Sequence, residues 1–265
     1  SEVKLSKDKI DGIGLGLAGS SDLNGRDYLF GKFDNIDLSH KTIIMNDAEA
    51  AYEICCPNDF GILLLVGTGV VCIGRKDGKV FRQAGKGHEK GDIGSGYWIG
   101  KQAILNLTLN ETSVIGDPDL EQIMRMFMED LGVDEDFNTS LKKVYNSDNS
   151  IAQIASLAKK IINLAQLGNE IALSIVQEAT HAISEYVISI SDFMEYDHSI
   201  LLVAGSGSII NNDFFRSSLN DELAFQFSDL KWTFSKLSSS YGAAIMVARM
   251  DNKIIKISDI LKGDN

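Results

Sequence analysis

Two acids and one glycine-flanked hydroxyl are the residues of this sequence best placed to do chemistry. Asp47 follows the apolar run 42–45 (TIIM) and precedes AEAAYEICC, so it stands where a strand gives way to a helix. Open α/β sheets bind ligands at the C-terminal ends of their strands, and Asn46-Asp47 is also a helix-capping signal. Gly67-Thr68-Gly69 joins two apolar runs. Asp77-Gly78 shows what an ordinary hairpin turn needs. Two glycines around a hydroxyl offer more: free backbone N–H groups that can form an anion nest, with Thr68 adding a donor. That is phosphate chemistry. Asp92 lies in KGDIGSG, directly before a helix. It could cap that helix, or its two oxygens could accept from a vicinal diol of a sugar. The surrounding stretch 84–100, AGKGHEKGDIGSGYWIG, has six glycines in seventeen residues. It is expected to form a wall that a ligand approaches without meeting Cβ atoms.

Other signals carry less. Gly14-Leu-Gly16-Leu-Ala-Gly19 matches the dinucleotide fingerprint, but its first glycines lie inside an expected strand rather than after it. A glycine face within a strand implies close approach of a helix or ligand, with a ligand edge at Ala18-Gly19-Ser20. His88 has no partners at metal-ligand spacing. Cys55, Cys56 and Cys72 show no paired CxxC spacing, so neither a zinc site nor a disulfide framework is expected, and free thiols fit a reducing, cytoplasmic setting.

The bounds agree with a globular protein. Lysine and arginine total 25 against 37 aspartates and glutamates, a formal net charge of −12, and 44% of residues are hydrophobic. A nucleic-acid surface needs a concentrated basic footprint, which this balance argues against. The sequence has no apolar run near the ~20 residues of a membrane span.

The elements that must position these residues alternate. The opening SEVKLSKDKI reads as the end of a helix. A strand over 12–19, a helix over 20–33, a strand over 42–47 and a helix over 48–56 follow, closed by Pro57-Asn58-Asp59. Strands over 61–66, 70–75 and 79–83 make an antiparallel meander. A helix follows from Gly96, residues 117–194 read as mostly helical, and strand, helix, strand and helix complete the chain from 199 onward. The first half would match the second if a three-strand meander preceded residue 1. The expectation is therefore an α/β protein of two similar domains around a central cleft. Residues 1–58 with 239–265 would form the first, incomplete domain, and 59–238 the second, with a helical insertion.

Together these pieces resemble the N-acetylglucosamine kinase and BadF/BadG/BcrA/BcrD ATPase family, within the actin, sugar-kinase and heat-shock ATPase superfamily. The resemblance rests on GIGLGLAGS (12–20), NDAEAA (46–51), GILLLVGTGVVC (61–72), GHEKGDIGSGYWIG (87–100), VAGSGSIINND (203–213) and SSYGAAIMVAR (239–249). It implies two ribonuclease-H-like domains and transfer of the ATP γ-phosphoryl group to a sugar hydroxyl, with Mg²⁺ accompanying ATP. Asp47 matches the general base. Gly67, Thr68 and Gly69 match a phosphate loop, and Gly205 the adenosine loop. Asp92, Gly87, Asn46 and Ser20 fall on the sugar side. The chain departs from the family pattern at Val70, Lys86, Ile93 and Ala204-Gly205-Ser206-Gly207. An Asp-Gly-Gly-Gly-Thr-like first phosphate hairpin, with the Mg²⁺-linked acid, has no counterpart here, so no metal ligand is named. These residues are expected to belong to a longer chain and, alone, to bind sugar weakly without turnover.

The expected partners are a small-molecule sugar and ATP, with a homodimeric assembly in the cytoplasm, no nucleic acid and no membrane. Three functions stay open: a kinase for N-acetylglucosamine or a related amino sugar, an ATPase that activates a partner enzyme, and a non-catalytic sugar or nucleotide sensor. Sugar-stimulated ADP release separates the first from the other two.

Overall fold

A computed structural model describes residues 6–17, 20, 23–56, 61–90, 92–109, 114, 116–131, 136–196 and 200–250. Its strands form two sheets. The smaller pairs β1 (Ile13–Leu17) and β2 (Thr42–Asn46) in parallel, with Leu17 opposite Asn46. They are joined through α1 (Leu23–Asp34). The larger contains β3 (Ile62–Val66), β4 (Val70–Lys76), β5 (Lys79–Ala84), β6 (Ile200–Ser206) and β7 (Asp229–Thr233), in the order β5-β4-β3-β6-β7. The meander β3-β4-β5 is antiparallel, whereas β6 and β7 run parallel to β3. Residues 7–9 form one 3-10 turn where the sequence suggested a helix end.

β3 shows why this is a layered α/β structure. Its run ILLLV is apolar on both faces, as a strand covered on both sides requires. Ile62, Leu64 and Val66 point into the large core, and Leu63 points the other way, toward Ala48 and Tyr52 of α2 (Asp47–Cys55). The large core is roofed by α3 (Gly96–Leu109), α4 (Pro118–Leu131), α5 (Phe137–Tyr145), α6 (Ser150–Gln166), α7 (Glu170–Phe193) and α8 (Asp213–Leu223). In α6 the buried residues Ile154, Leu157, Ala158, Ile161, Ile162 and Ala165 recur at the three-to-four spacing of a single helix face. α7 begins at Asn169, whose side chain accepts from the Ala172 N–H at 2.9 Å.

α9 (Ser239–Met250) returns to the small sheet. A Cβ at Gly14 would lie 2.2 Å from the Ala243 carbonyl oxygen, and one at Gly16 2.7 Å from the Ala50 Cβ. Gly242 of α9 rests on α2 in the same way, 1.8 Å from the Ala50 carbonyl oxygen by that measure. The glycine face of β1 therefore serves backbone-close helix packing. Gly19, the last glycine of the fingerprint match, lies outside the described residues.

Glu53 fastens α2 to both neighbours. Its side chain is 1% exposed. One oxygen meets Arg75 Nη1 of β4 at 2.5 Å, and the other meets Arg249 of α9. Arg75 also lies over the Tyr52 ring, 5.2 Å from its centroid.

Candidate active site

The parallel register of β1 and β2 brings their C-terminal ends to one edge, and α2 starts there. Asn46 caps it: its side chain accepts from the Ala48 N–H at 2.9 Å, and the Glu49 carboxylate accepts from the Asn46 N–H at 3.1 Å. This capping box was visible in the sequence as Asn46-x-x-Glu49. It assigns the cap to Asn46, while Asp47, the first helical residue, shares the Ala48 N–H through Oδ1 at 2.9 Å and keeps its other carboxylate oxygen without a partner among the described residues. Asp47 is exposed and lines a cleft of about 190 Å³ with Cys55, Leu65, Gly205, Ser206 and Ser235. Asp47 and Gly205, 158 positions apart in the numbering, thus share one cavity. Burial pushes the Cys55 thiol up, against a smaller lowering from the Ser235 backbone.

Gly205 is a glycine for a packing reason. A Cβ there would lie 2.5 Å from the Phe234 ring. Phe234 stacks on Trp232 at 6.1 Å, and the Arg216 guanidinium lies 5.3 Å from its ring centroid. Sequence reasoning passed over this aromatic layer, since its members are brought together only by the β6–β7 pairing and α8. Gly207 has φ +105°, and a Cβ there would lie 2.3 Å from the Val66 carbonyl oxygen. It presses the end of β6 onto the start of the Gly67-Thr68-Gly69 turn.

That turn is tied down on one side and open on the other. The Gly67 N–H donates to the Gly69 carbonyl at 2.9 Å, so it is not available to a nest. The carbonyls of Gly67 and Thr68 accept from the N–H groups of Gly96 and Tyr97, at 2.7 and 3.1 Å, in the first turn of α3. The N–H groups of Thr68 and Gly69 and the Thr68 hydroxyl have no partner among the described residues. Neither Gly67 nor Gly69 has a positive φ. A Cβ on Gly67 would meet nothing within 4 Å, and one on Gly69 only an Asp92 carboxylate oxygen at 3.8 Å. The fold does not require glycine at either place, and the space a side chain would fill is empty.

The glycine-rich stretch needs a different explanation from the expected one. Gly94, at φ +87°, packs on Ile183 and the Ala179 carbonyl oxygen of α7, and Gly100 on the Ile154 carbonyl oxygen of α6. Gly96 packs on the Gly67 carbonyl oxygen. These three make room for protein. Gly87, at φ +94°, faces open space. Asp92 is 7% exposed and closes this loop: its two oxygens accept from the N–H groups of Lys86 at 2.9 Å and Gly87 at 3.2 Å. It does not cap α3. Ser95 does, accepting from the Trp98 N–H at 3.1 Å. A carboxylate has about four acceptor positions, so Asp92 keeps capacity for a ligand. Burial, and secondly the Asp92 charge, hold the Tyr186 phenol above its usual range.

The Ser20 N–H donates to the carbonyl of Leu17, the last residue of β1, at 3.3 Å. It is 6% exposed, and its hydroxyl has no partner among the described residues. The expected residues thus form two groups: Asp47 and Gly205 in the cleft, and Gly67, Thr68, Gly69, Asp92 and Gly87 around the turn. β3 joins them: Leu65 lines the cleft, and Gly67 follows Val66, the last residue of the strand. His88 lies edge-on to Tyr97 at 5.1 Å, while His198 lies outside the described residues. Among the described residues no cluster of three or more His, Cys, Asp or Glu could hold a metal ion. The chain's described residues therefore do not make a Mg²⁺ cage. Mg²⁺ usually relies on one or two carboxylates with substrate phosphates, and no residue is assigned to it. No helix among the described residues is long and apolar enough to cross a membrane.

The chain is similar to known sugar kinases. The chain is 28% identical over 253 residues to the N-acetylmuramic acid/N-acetylglucosamine kinase of Clostridium acetobutylicum, covering 91% of this chain and 78% of that one. It is 24% identical over 190 residues to the N-acetyl-D-glucosamine kinase of Dictyostelium discoideum, covering 71% of this chain and 59% of that one. Its fold matches the crystal structure assigned to an N-acetylglucosamine kinase in Chromobacterium violaceum with a TM-score of 0.64, at 21% identity over 89% of this chain and 75% of that one. Residues 1–247 match one family, and on that match the chain belongs to the BadF/BadG/BcrA/BcrD ATPase family.

Proposed function

We propose that the protein is an ATP-dependent sugar kinase that phosphorylates a hydroxyl of an amino sugar of the N-acetylglucosamine type. The observation that carries this is the pair of unforced glycines, Gly67 and Gly69. Gly69 stands beside Asp92, and Gly67 lies two positions beyond Leu65, which lines the cleft that holds Asp47. Family membership and the two kinase relatives support the same reading. The finer architecture is part of the proposal: two ribonuclease-H-like domains, 1–58 with 239–265 and 59–238, closing on the cleft. The packing of α9 on β1 and α2 supports that division. A homodimer in the cytoplasm and Mg²⁺ as the companion of ATP complete it.

The chemistry is positioning and electrostatics. Phosphoryl transfer proceeds through a loose transition state with little covalent work for the protein. The open face of the Gly67-Thr68-Gly69 turn offers the Thr68 and Gly69 N–H groups and the Thr68 hydroxyl to the ATP phosphates. Gly205, at the end of β6, borders the nucleoside. Asp92 accepts from sugar hydroxyls, with Gly87, Asn46 and Ser20 bordering the ring. The Asp47 carboxylate takes the proton of the attacking hydroxyl as its oxygen bonds to the γ-phosphorus. The bond from that phosphorus to the β–γ bridging oxygen breaks, and ADP leaves.

The partner-activating alternative uses cysteines at a subunit surface. Here Cys56 and Cys72 are buried, and Cys55 faces the cleft. The test is ADP release with and without a panel of amino sugars. It is run on this chain and on one carrying a first phosphate hairpin upstream. Sugar-stimulated release in either supports the kinase; sugar-independent release in both, or none in either, overturns it.

A further inference from the structure

Resting on the sugar-kinase reading above, we infer that Tyr186 is a further sugar-binding residue: its phenol donates to the same sugar hydroxyl that donates to Asp92. A hydroxyl is both donor and acceptor, and a carboxylate only accepts. Asp92 alone therefore leaves the oxygen of the hydroxyl it grips without a donor. The helix α7 brings one. Gly94, at φ +87°, rests on the Ala179 carbonyl oxygen and on Ile183 of that helix. The Ser95 N–H returns to the Asp92 carbonyl at 3.1 Å, so the turn that carries Asp92 is seated on α7. Tyr186 stands three positions beyond Ile183, on the same side of the helix. Its ring packs on the large core, and it is half-buried. Its phenol hydrogen-bonds the Ile93 backbone and lies within reach of the Asp92 charge. Ile93 is 38% exposed, so the phenol meets the turn where solvent reaches it.

The second observation is what remains unused. The Asp92 oxygens each accept one backbone N–H, from Lys86 and Gly87, which fills two of about four acceptor positions. The phenolic hydrogen of Tyr186 has no acceptor among the described residues. Burial first, and then the Asp92 charge, hold the phenol above its usual range, while the Ile93 backbone acts the other way. The hydrogen therefore stays on the oxygen at neutral pH, ready to donate. Packing against the core needs only the ring, which phenylalanine would supply. The hydroxyl is the part that the fold leaves idle, and buried tyrosines usually give it a partner. An idle donor and an acceptor with spare capacity complement a neutral hydroxyl. They do not complement a phosphate, whose oxygens only accept and which the Asp92 charge repels.

Tyr186→Phe removes the hydroxyl and keeps the ring. Calorimetry measures binding of N-acetylglucosamine, and of its monodeoxy analogues that lack one hydroxyl each, to the wild-type chain, to Y186F and to Asp92→Asn. Turnover is not required. Y186F is expected to weaken N-acetylglucosamine by about 2- to 10-fold, the worth of one neutral hydrogen bond. Its melting temperature and its affinity for an ATP analogue should match those of the wild type. One deoxy analogue should bind Y186F and wild type alike, because the hydroxyl that Tyr186 serves is missing from it. The same analogue should be the one least affected by D92N. Unchanged N-acetylglucosamine affinity in Y186F overturns the assignment while leaving the kinase reading intact. So does equal weakening of every analogue, a parallel loss for the nucleotide or a melting temperature several degrees lower, since each makes the hydroxyl a part of the fold. Indifference to Y186F at one hydroxyl and to D92N at another also overturns it, because the two residues then do not share a hydroxyl. A wild-type chain that binds none of these sugars overturns the assignment together with the sugar-kinase reading.

Discussion

Replacing Gly67 by alanine separates a turn that the fold needs from one that a ligand needs. Gly67 lacks a positive φ, and an added Cβ would meet nothing within 4 Å. Its N–H bond to Gly69 does not involve the side chain. The folded state therefore gains no clash, while the unfolded chain loses freedom, which stabilises by about 0.4–1 kcal/mol. At roughly 2–4 °C per kcal/mol for a chain of this size, the melting temperature should stay level or rise by a few degrees. The same methyl group occupies the space assigned to phosphate oxygens. Displacing one charged acceptor from its backbone donors costs about 1.5–3 kcal/mol, or about 10- to 100-fold in nucleotide affinity. Thermal unfolding and calorimetric titration with an ATP analogue read the two quantities, and sugar affinity serves as the control. The reasoning fails if G67A melts several degrees lower, or if nucleotide affinity is unchanged. Equal losses for sugar and nucleotide would also refute it, because the turn would then be only structural.

Asp47→Asn should keep sugar binding while phosphoryl transfer falls by ~10²–10⁴, the usual worth of a general base; near-normal turnover would remove Asp47 from the mechanism. Asp92→Asn should weaken sugar binding and also lower the Tyr186 pKa toward its ordinary value, since the Asp92 charge is one of the two causes raising it; an ultraviolet pH titration of the phenol checks this, and an unmoved Tyr186 refutes the placement of Asp92. Glu53→Ala should cost about 3–5 kcal/mol, the typical result of breaking a buried ion pair, toward the lower end because Arg249 is 45% exposed; denaturant unfolding measures it, and a loss below ~1 kcal/mol would mean that Arg75 finds water instead.

Much of the fold was legible in the chain because its signals are local. The apolar run at β3, the Asp77-Gly78 hairpin and the three-to-four spacing in α6 each specify an element through neighbours a few residues away. The observed elements fall within a residue or two of the expected ones for most strands and helices. The site was legible in part for the same reason. Asp47 and the Gly67-Thr68-Gly69 turn were found because strand-to-helix and strand-to-strand junctions are local patterns. That Asp47 shares a cleft with Gly205, and that Asp92 closes its own loop through the N–H groups of Lys86 and Gly87, depended on segments meeting in space.

The glycines show the boundary most clearly. Gly14, Gly67, Gly94 and Gly205 are the same residue, and each marks a place where a Cβ is absent. At Gly14 the missing atom makes room for the backbone of α9, at Gly94 for α7 and at Gly205 for Phe234, whereas at Gly67 none of the described residues takes the space. The sequence by itself determined where the chain could be approached closely, because that depends on the residue alone. Only the tertiary structure decided whether protein or ligand makes the approach, because the atoms that fill or leave that space come from residues far away along the chain.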